Sequence, residues 1–127
     1  MLLTIHQPEH LPWLGFFHKM AMADQYVVLD SVQYEKDYFQ NRNKIRFTGN
    51  DGWKWITTPV LNRGRSTQQI QDVICDQSNP RRVLNVWNAF VQSYKNTPHF
   101  DEHEAEFNDI FVGNRSEKLV ENFQIFL

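Results

Sequence analysis

A chain of 127 residues, 41% of them hydrophobic and 14% aromatic, holds enough apolar surface for one globular core and is too short for two ordinary domains, so residues 1–127 read as a single domain. The 13 Lys and Arg against 15 Asp and Glu leave a formal charge of -2, which excludes the basic field that holds nucleic acid by counterion release. Cys75 is the single cysteine and excludes an internal disulfide. No apolar stretch approaches the ~20 residues needed to cross a bilayer, and the N-terminus lacks a basic segment and a small-residue cleavage site, so the expected setting is cytoplasmic with no membrane partner.

Met1 to His6 reads as a short first strand. The junction that follows, His6 to Pro12, packs two imidazoles, an amide and a carboxylate into one turn. It precedes a helix expected over Trp13 to Met22, with Leu14, Phe17 and Ala21 on one face. Tyr26 to Asp30 is a continuous β-branched and aromatic run, the pattern of a strand buried on both faces. A right-handed crossover between the two strands sets them parallel. It also brings Asp30 to the same carboxyl edge as His6, where ligands bind in open α/β sheets.

Lys44 to Phe47 and Trp53 to Thr57 alternate on either side of Gly49-Asn50-Asp51-Gly52, which predicts an antiparallel hairpin that extends the sheet or covers its mouth. Gln69 to Cys75 is a third alternating run, expected to be a strand. Ser78-Asn79-Pro80 supplies a cap and an N-terminal proline for a helix over Arg81 to Tyr94, and a more acidic helix spans Asp101 to Phe111. Ser116 opens a last amphipathic segment ending at Leu127. Its apolar load predicts docking of Phe123 and Leu127 onto the Arg81–Tyr94 helix, or else a contact with a second subunit or a further domain. The fold class is α/β: a small parallel strand-helix-strand core with an added antiparallel hairpin and C-terminal helices.

The candidate site gathers at the first junction. His6 is the candidate general base and Asp30 its partner, against the alternatives of a satisfied interior histidine and a turn-capping carboxylate. Gln33, Asn41, Arg42 and Asn43 form a polar set with one fixed cation; amides and a guanidinium suit sugar hydroxyls and carboxylate or phosphate, whereas a solvated loop is the plainer role. His10 is assigned to packing and Cys75 to a buried thiol. Trp53, Trp55 and Trp87 suit either the core or stacking on sugar faces. His99 and His103 are spaced like metal ligands, but Pro98 adjoins the first and no Glu follows it directly, so no metal site and no cofactor is expected.

The string Ile5-His6-Gln7-Pro8, followed by Leu11-Pro12-Trp13-Leu14-Gly15-Phe16-Phe17, Ala23-Asp24-Gln25-Tyr26-Val27-Val28-Leu29-Asp30, Val32-Gln33-Tyr34 and Gln40-Asn41-Arg42-Asn43-Lys44-Ile45, resembles the WbqC-like proteins. Trp55-Ile56-Thr57-Thr58-Pro59-Val60 and Tyr94-Lys95-Asn96-Thr97-Pro98-His99-Phe100 resemble later blocks of the same family. The resemblance covers nearly the whole chain in matching order. It implies a bacterial protein of surface-polysaccharide (O-antigen) biosynthesis that transfers glycine or another acyl group to an amino sugar. The chain departs from the family at Arg82 and Val86, where members carry Trp-Arg and a nearby His, and longer members continue past the place where this chain stops. A second resemblance, to the Rossmannoid fold of nucleotidyltransferases with a His-x-Gly-His turn, lacks the glycine: Pro8-Glu9-His10 stands in its place.

Two functions follow. The first is an enzyme acting on an activated sugar as small-molecule substrate. In it His6 is the base, Asp30 holds its tautomer or binds substrate, Arg42 meets the diphosphate or carboxylate, and Gln7, Gln33, Asn41 and Asn43 bind the sugar. The second is a non-catalytic binding module or a truncated remnant, which keeps the nucleotidyltransferase-like fold and a ligand pocket without the C-terminal half of longer members.

Overall fold

The structure, a computed structural model, describes residues 1–49, 51–113 and 115–124. Strand β1 (Leu3–His6), helix α1 (Leu14–Ala21) and strand β2 (Gln25–Val28) form the first unit, and the two strands are adjacent and parallel in the register Leu3 to Gln25 through His6 to Val28. Thr4, His6, Tyr26 and Val28 face inward, toward Phe16 of α1, whose ring sits 5.0 Å from the His6 ring and 5.8 Å from that of Tyr26. The opposite face is open. Leu3, Ile5 and Val27 are 47%, 49% and 42% exposed, so the strands are not buried on both faces as their composition predicts; α1 covers one side alone.

Strands β3 (Arg42–Arg46) and β4 (Trp53–Thr57) form the expected antiparallel hairpin, closed by a turn in which the Gly52 amide donates to the Gly49 carbonyl at 3.0 Å. Gly52 has φ +70°, the left-handed conformation that glycine adopts without a side-chain clash. The hairpin makes its own two-stranded sheet and does not extend the first one. Its inward residues Ile45 and Ile56 meet Trp87 and Phe90 of α2 (Pro80–Tyr94), Phe100 of α3 (Phe100–Asn108) and Phe111 of the π-helical turn Asp109–Gly113, and together these form the main core. Phe90 is its centre, with the Phe107 and Phe111 rings 5.1 Å and 5.0 Å away. The cap of α2 is as expected, with Asn79 accepting the Arg81 amide and Pro80 opening the helix.

Gln69 to Cys75 is not a strand. Ile70–Asp72 form a 3₁₀ turn, and single bridges pair Gln69 with Gln33, Cys75 with Val60 and Ile74 with Lys118. Ile70 and Val73 are both buried, three residues apart, and the 3₁₀ period places them on one side where strand alternation would split them. They form a second core with Tyr34, Cys75 and Leu119. Helix α4 (Leu119–Gln124) packs on this 3₁₀ turn and sets Phe123 against Phe16, ring centroids 5.7 Å apart. Among the described residues Phe123 therefore closes over the first unit, where docking on α2 was expected; the expected docking of Leu127 lies outside the described residues. Among the described residues, no helix is long and apolar enough to cross a membrane.

Candidate functional site

At the carboxyl end of β1 a concavity of about 420 Å³ opens between the junction and the segment after β2, lined by His6, Gln7, Glu9, Glu35, Tyr38 and Gln40 among others. This is the edge where the crossover rule places ligands. Three constraints shape it. His6 Nδ1 lies 2.8 Å from the Gln7 carbonyl oxygen; a carbonyl can only accept, so Nδ1 carries the proton and Nε2 holds the basic lone pair. The ring is braced edge-on by Phe16. Nε2 lies 3.9 Å from Glu9 Oε1, with both side chains partly exposed.

Burial raises the Glu9 carboxyl above its usual range, opposed by the His6 charge. The Tyr26 hydroxyl, buried and without a hydrogen-bond partner among the described residues, is pushed up to about 12 by burial and then by the Glu9 charge. It remains a neutral phenol. The floor is a relay of amides: Gln40 Nε2 donates to Gln7 Oε1 at 2.8 Å, and the Glu35 amide donates to Gln40 Oε1 at 2.9 Å. Gln40 is 4% exposed, so this relay fixes the Gln7 side chain in one orientation.

The junction itself is held from a distance. Leu11 has φ 48°, a left-handed backbone for a branched residue, and Asn43 Nδ2 donates to the carbonyls of His10 and Leu11 at 3.1 and 2.8 Å. The His10 amide donates to the Phe39 carbonyl at 2.8 Å. The His10 imidazole is enclosed against Phe111, and burial followed by the Arg115 charge lowers it to about 4. Its assignment to packing matches this environment.

Of the residues read as site candidates from the sequence, His6 and Gln7 line the concavity and the others do not. The Asp30 carbonyl accepts the Gln71 amide at 3.0 Å, and the His6 tautomer is set by the Gln7 carbonyl and not by the Asp30 carboxylate. Gln33 donates to the Ser66 carbonyl at 3.0 Å and lines a neighbouring concavity. Asn41 is buried, exchanging hydrogen bonds with the Thr58 backbone, and Asn43 is the clamp just described. Arg42 is already engaged: Nη1 meets Asp37 Oδ1 at 3.2 Å, Nη2 donates to the Asp37 carbonyl, and the guanidinium stacks 4.2 Å from the Trp55 ring centre. Trp53 and Trp55 are thus exposed cation platforms, with the Lys44 ammonium 3.8 Å from the Trp53 ring centre, whereas Trp87 is core. The His6-to-Glu9 spacing around Pro8 was the sequence signal for the second proton-carrying group; Tyr38 and Gln40 carried none.

The chain is similar to an uncharacterized protein of Mycobacterium tuberculosis, Rv1507c, with 33% identity over 100 residues that span 79% of this chain and 42% of that relative. No solved structure matches it. The model of the WbqC-like protein family matches residues 7–127, a stretch that contains the His6-Glu9 junction from Gln7 onward together with every element that braces it, and the chain belongs to that family.

Proposed function

We propose that the chain is a transferase that moves an acyl or aminoacyl group, glycine among the candidates, onto the amine or hydroxyl of an activated amino sugar in bacterial surface-polysaccharide biosynthesis. The observation that carries this reading is the His6 tautomer. With Nδ1–H held by the Gln7 carbonyl, Nε2 is left as a base on the wall of the concavity, beside the Glu9 carboxylate. As the sugar nucleophile attacks the acyl carbonyl, Nε2 takes its proton. The leaving group then departs with the bond electrons and takes the proton back. In its ionised form Glu9 stabilises the transient imidazolium, and the fixed Gln7 amide and the Tyr38 hydroxyl orient sugar hydroxyls. Asp30 remains outside this chemistry in the proposal. Family membership supports the substrate class, through the polysaccharide setting that the WbqC-like resemblance implies.

The test is mass spectrometry of sugar nucleotides incubated with the protein and a pool of acyl and aminoacyl donors. The expected result is a sugar nucleotide heavier by one acyl group, formed by the native protein and lost on His6→Ala, with Glu9→Gln slowed by about 10²-fold in kcat. Binding of sugar nucleotide without any mass change across the pool would replace this reading with a non-catalytic binding module.

A further inference from the structure

A second concavity, of about 660 Å³, adjoins the first: Glu35 lines both. Its other walls carry Gln33, Lys36, Arg63, Arg65 and Ser66. Lys36, Arg63 and Arg65 are exposed and have neither an ion pair nor a side-chain hydrogen bond among the described residues, whereas Arg42 and Arg82 are each neutralised by an aspartate. Three unspent cations in one concavity of a chain with net charge -2 are a local concentration of positive potential, opposed there by the single Glu35 carboxylate.

The loop that bears the arginines is built, not trailing. Residues 62–65 make a tight turn, with the Arg65 amide donating to the Asn62 carbonyl at 3.1 Å and Gly64 at φ +72°, so Arg63 and Arg65 flank a position that needs left-handed backbone. Gln33 Nε2 holds the Ser66 carbonyl, the Tyr34 amide donates to the Gln68 carbonyl at 2.9 Å, and Gln33 pairs with Gln69. An anchored loop spares the backbone part of the ordering cost when its guanidinium groups bind a planar pair of phosphate oxygens.

We infer that this concavity binds the diphosphate of a substrate whose sugar or acyl end lies against His6. In a sugar nucleotide the sugar is bonded directly to the diphosphate, so two adjoining basins, one offering a base and amides and the other offering cations, match the two ends of one molecule. The diphosphate of coenzyme A presents the same chemistry. The inference rests on the proposed transferase reading for the sugar end, and on Arg63, Arg65 and Lys36 for the rest.

Calorimetric titration of the full chain with inorganic pyrophosphate at low salt tests it, with melting curves confirming that each variant is folded. The expected result is saturable binding that weakens about tenfold or more in Arg63→Ala/Arg65→Ala and falls off with added salt. Lys36→Ala, on a different segment, should weaken it in the same direction, Glu35→Gln should tighten it, and His6→Ala should leave it unchanged. Separate titrations with UDP and with coenzyme A then tell which carrier supplies the diphosphate. Absence of saturable pyrophosphate binding by the native protein, or equal affinity in the double variant, overturns the site. Pyrophosphate binding that depends on the arginines without any acyl transfer keeps this site and removes the transferase reading. Transfer with an unchanged KM for sugar nucleotide in the double variant does the reverse.

Discussion

His6 and His10 stand in the same turn and meet opposite fates. His6 keeps one nitrogen on a concave wall, while His10 is enclosed with its Nε2 unpartnered among the described residues. Burial holds His10 near 4, below the 6.5 of an unfolded imidazole. Between these values the unfolded chain binds a proton that the folded chain refuses, so stability rises with pH across the window and is lost as pH falls from 6.5 toward 4, by ~3 kcal/mol. Urea midpoints measured along that window should show the loss, and His10→Phe should flatten it. Asn43 offers a second residue-scale test. Asn43→Ala removes both donors that hold the strained Leu11 turn and should cost about 2 kcal/mol in denaturant unfolding, with a larger drop in turnover than the stability loss alone explains. Packing of His10 was legible in the sequence, but the clamp made by Asn43 was not, since Asn43 read as one of a polar set suited to sugar hydroxyls. What decides the Asn43 role is a contact across more than thirty positions.

At the scale of elements the legible parts were those whose pattern is long or punctuated. The first strand, helix and strand follow from run length, and α2 follows from the apolar stripe behind Asn79-Pro80. The Gln69–Cys75 segment failed because Val73 and Cys75 fit strand alternation while Ile70 and Val73 fit a three-residue period, and a run of this length is too short to choose between the two. The C-terminal segment was legible as apolar, but its receiving surface was not, because amphipathicity names a face and not a partner. Phe123 is 5% exposed and meets Phe16. Phe123→Ala should therefore cost 3–5 kcal/mol, roughly the range for emptying a buried phenylalanine site, at every protein concentration; a concentration-dependent effect in sedimentation would assign the helix to an interface instead.

For the whole molecule, the open face of the parallel strands is the feature the sequence hid most completely. Leu3, Ile5 and Val27 look like core in the linear chain and stand in solvent in the fold, as do Trp13 at 66% and Leu14 at 87% exposure. Replacing Ile5 and Val27 with Thr should change unfolding free energy by less than about 1 kcal/mol, since little burial is lost, and should raise solubility in concentration series. The matched stretch covers 42% of the relative's length, and the site described here lies within this chain's own described residues.

The Phe16 ring touches His6 on one side and Phe123 on the other, so His6 and α4 share one brace although they lie far apart in the sequence. Time enters here. During synthesis His6 is made well before α4, and until α4 has been released the Phe16 ring beneath it is backed by Phe17 and Tyr26 but not by Phe123. A nascent chain halted before residue 119 would carry every lining group of the concavity and still lack the Phe123 side of its bracing, so the full packing of this site waits on α4.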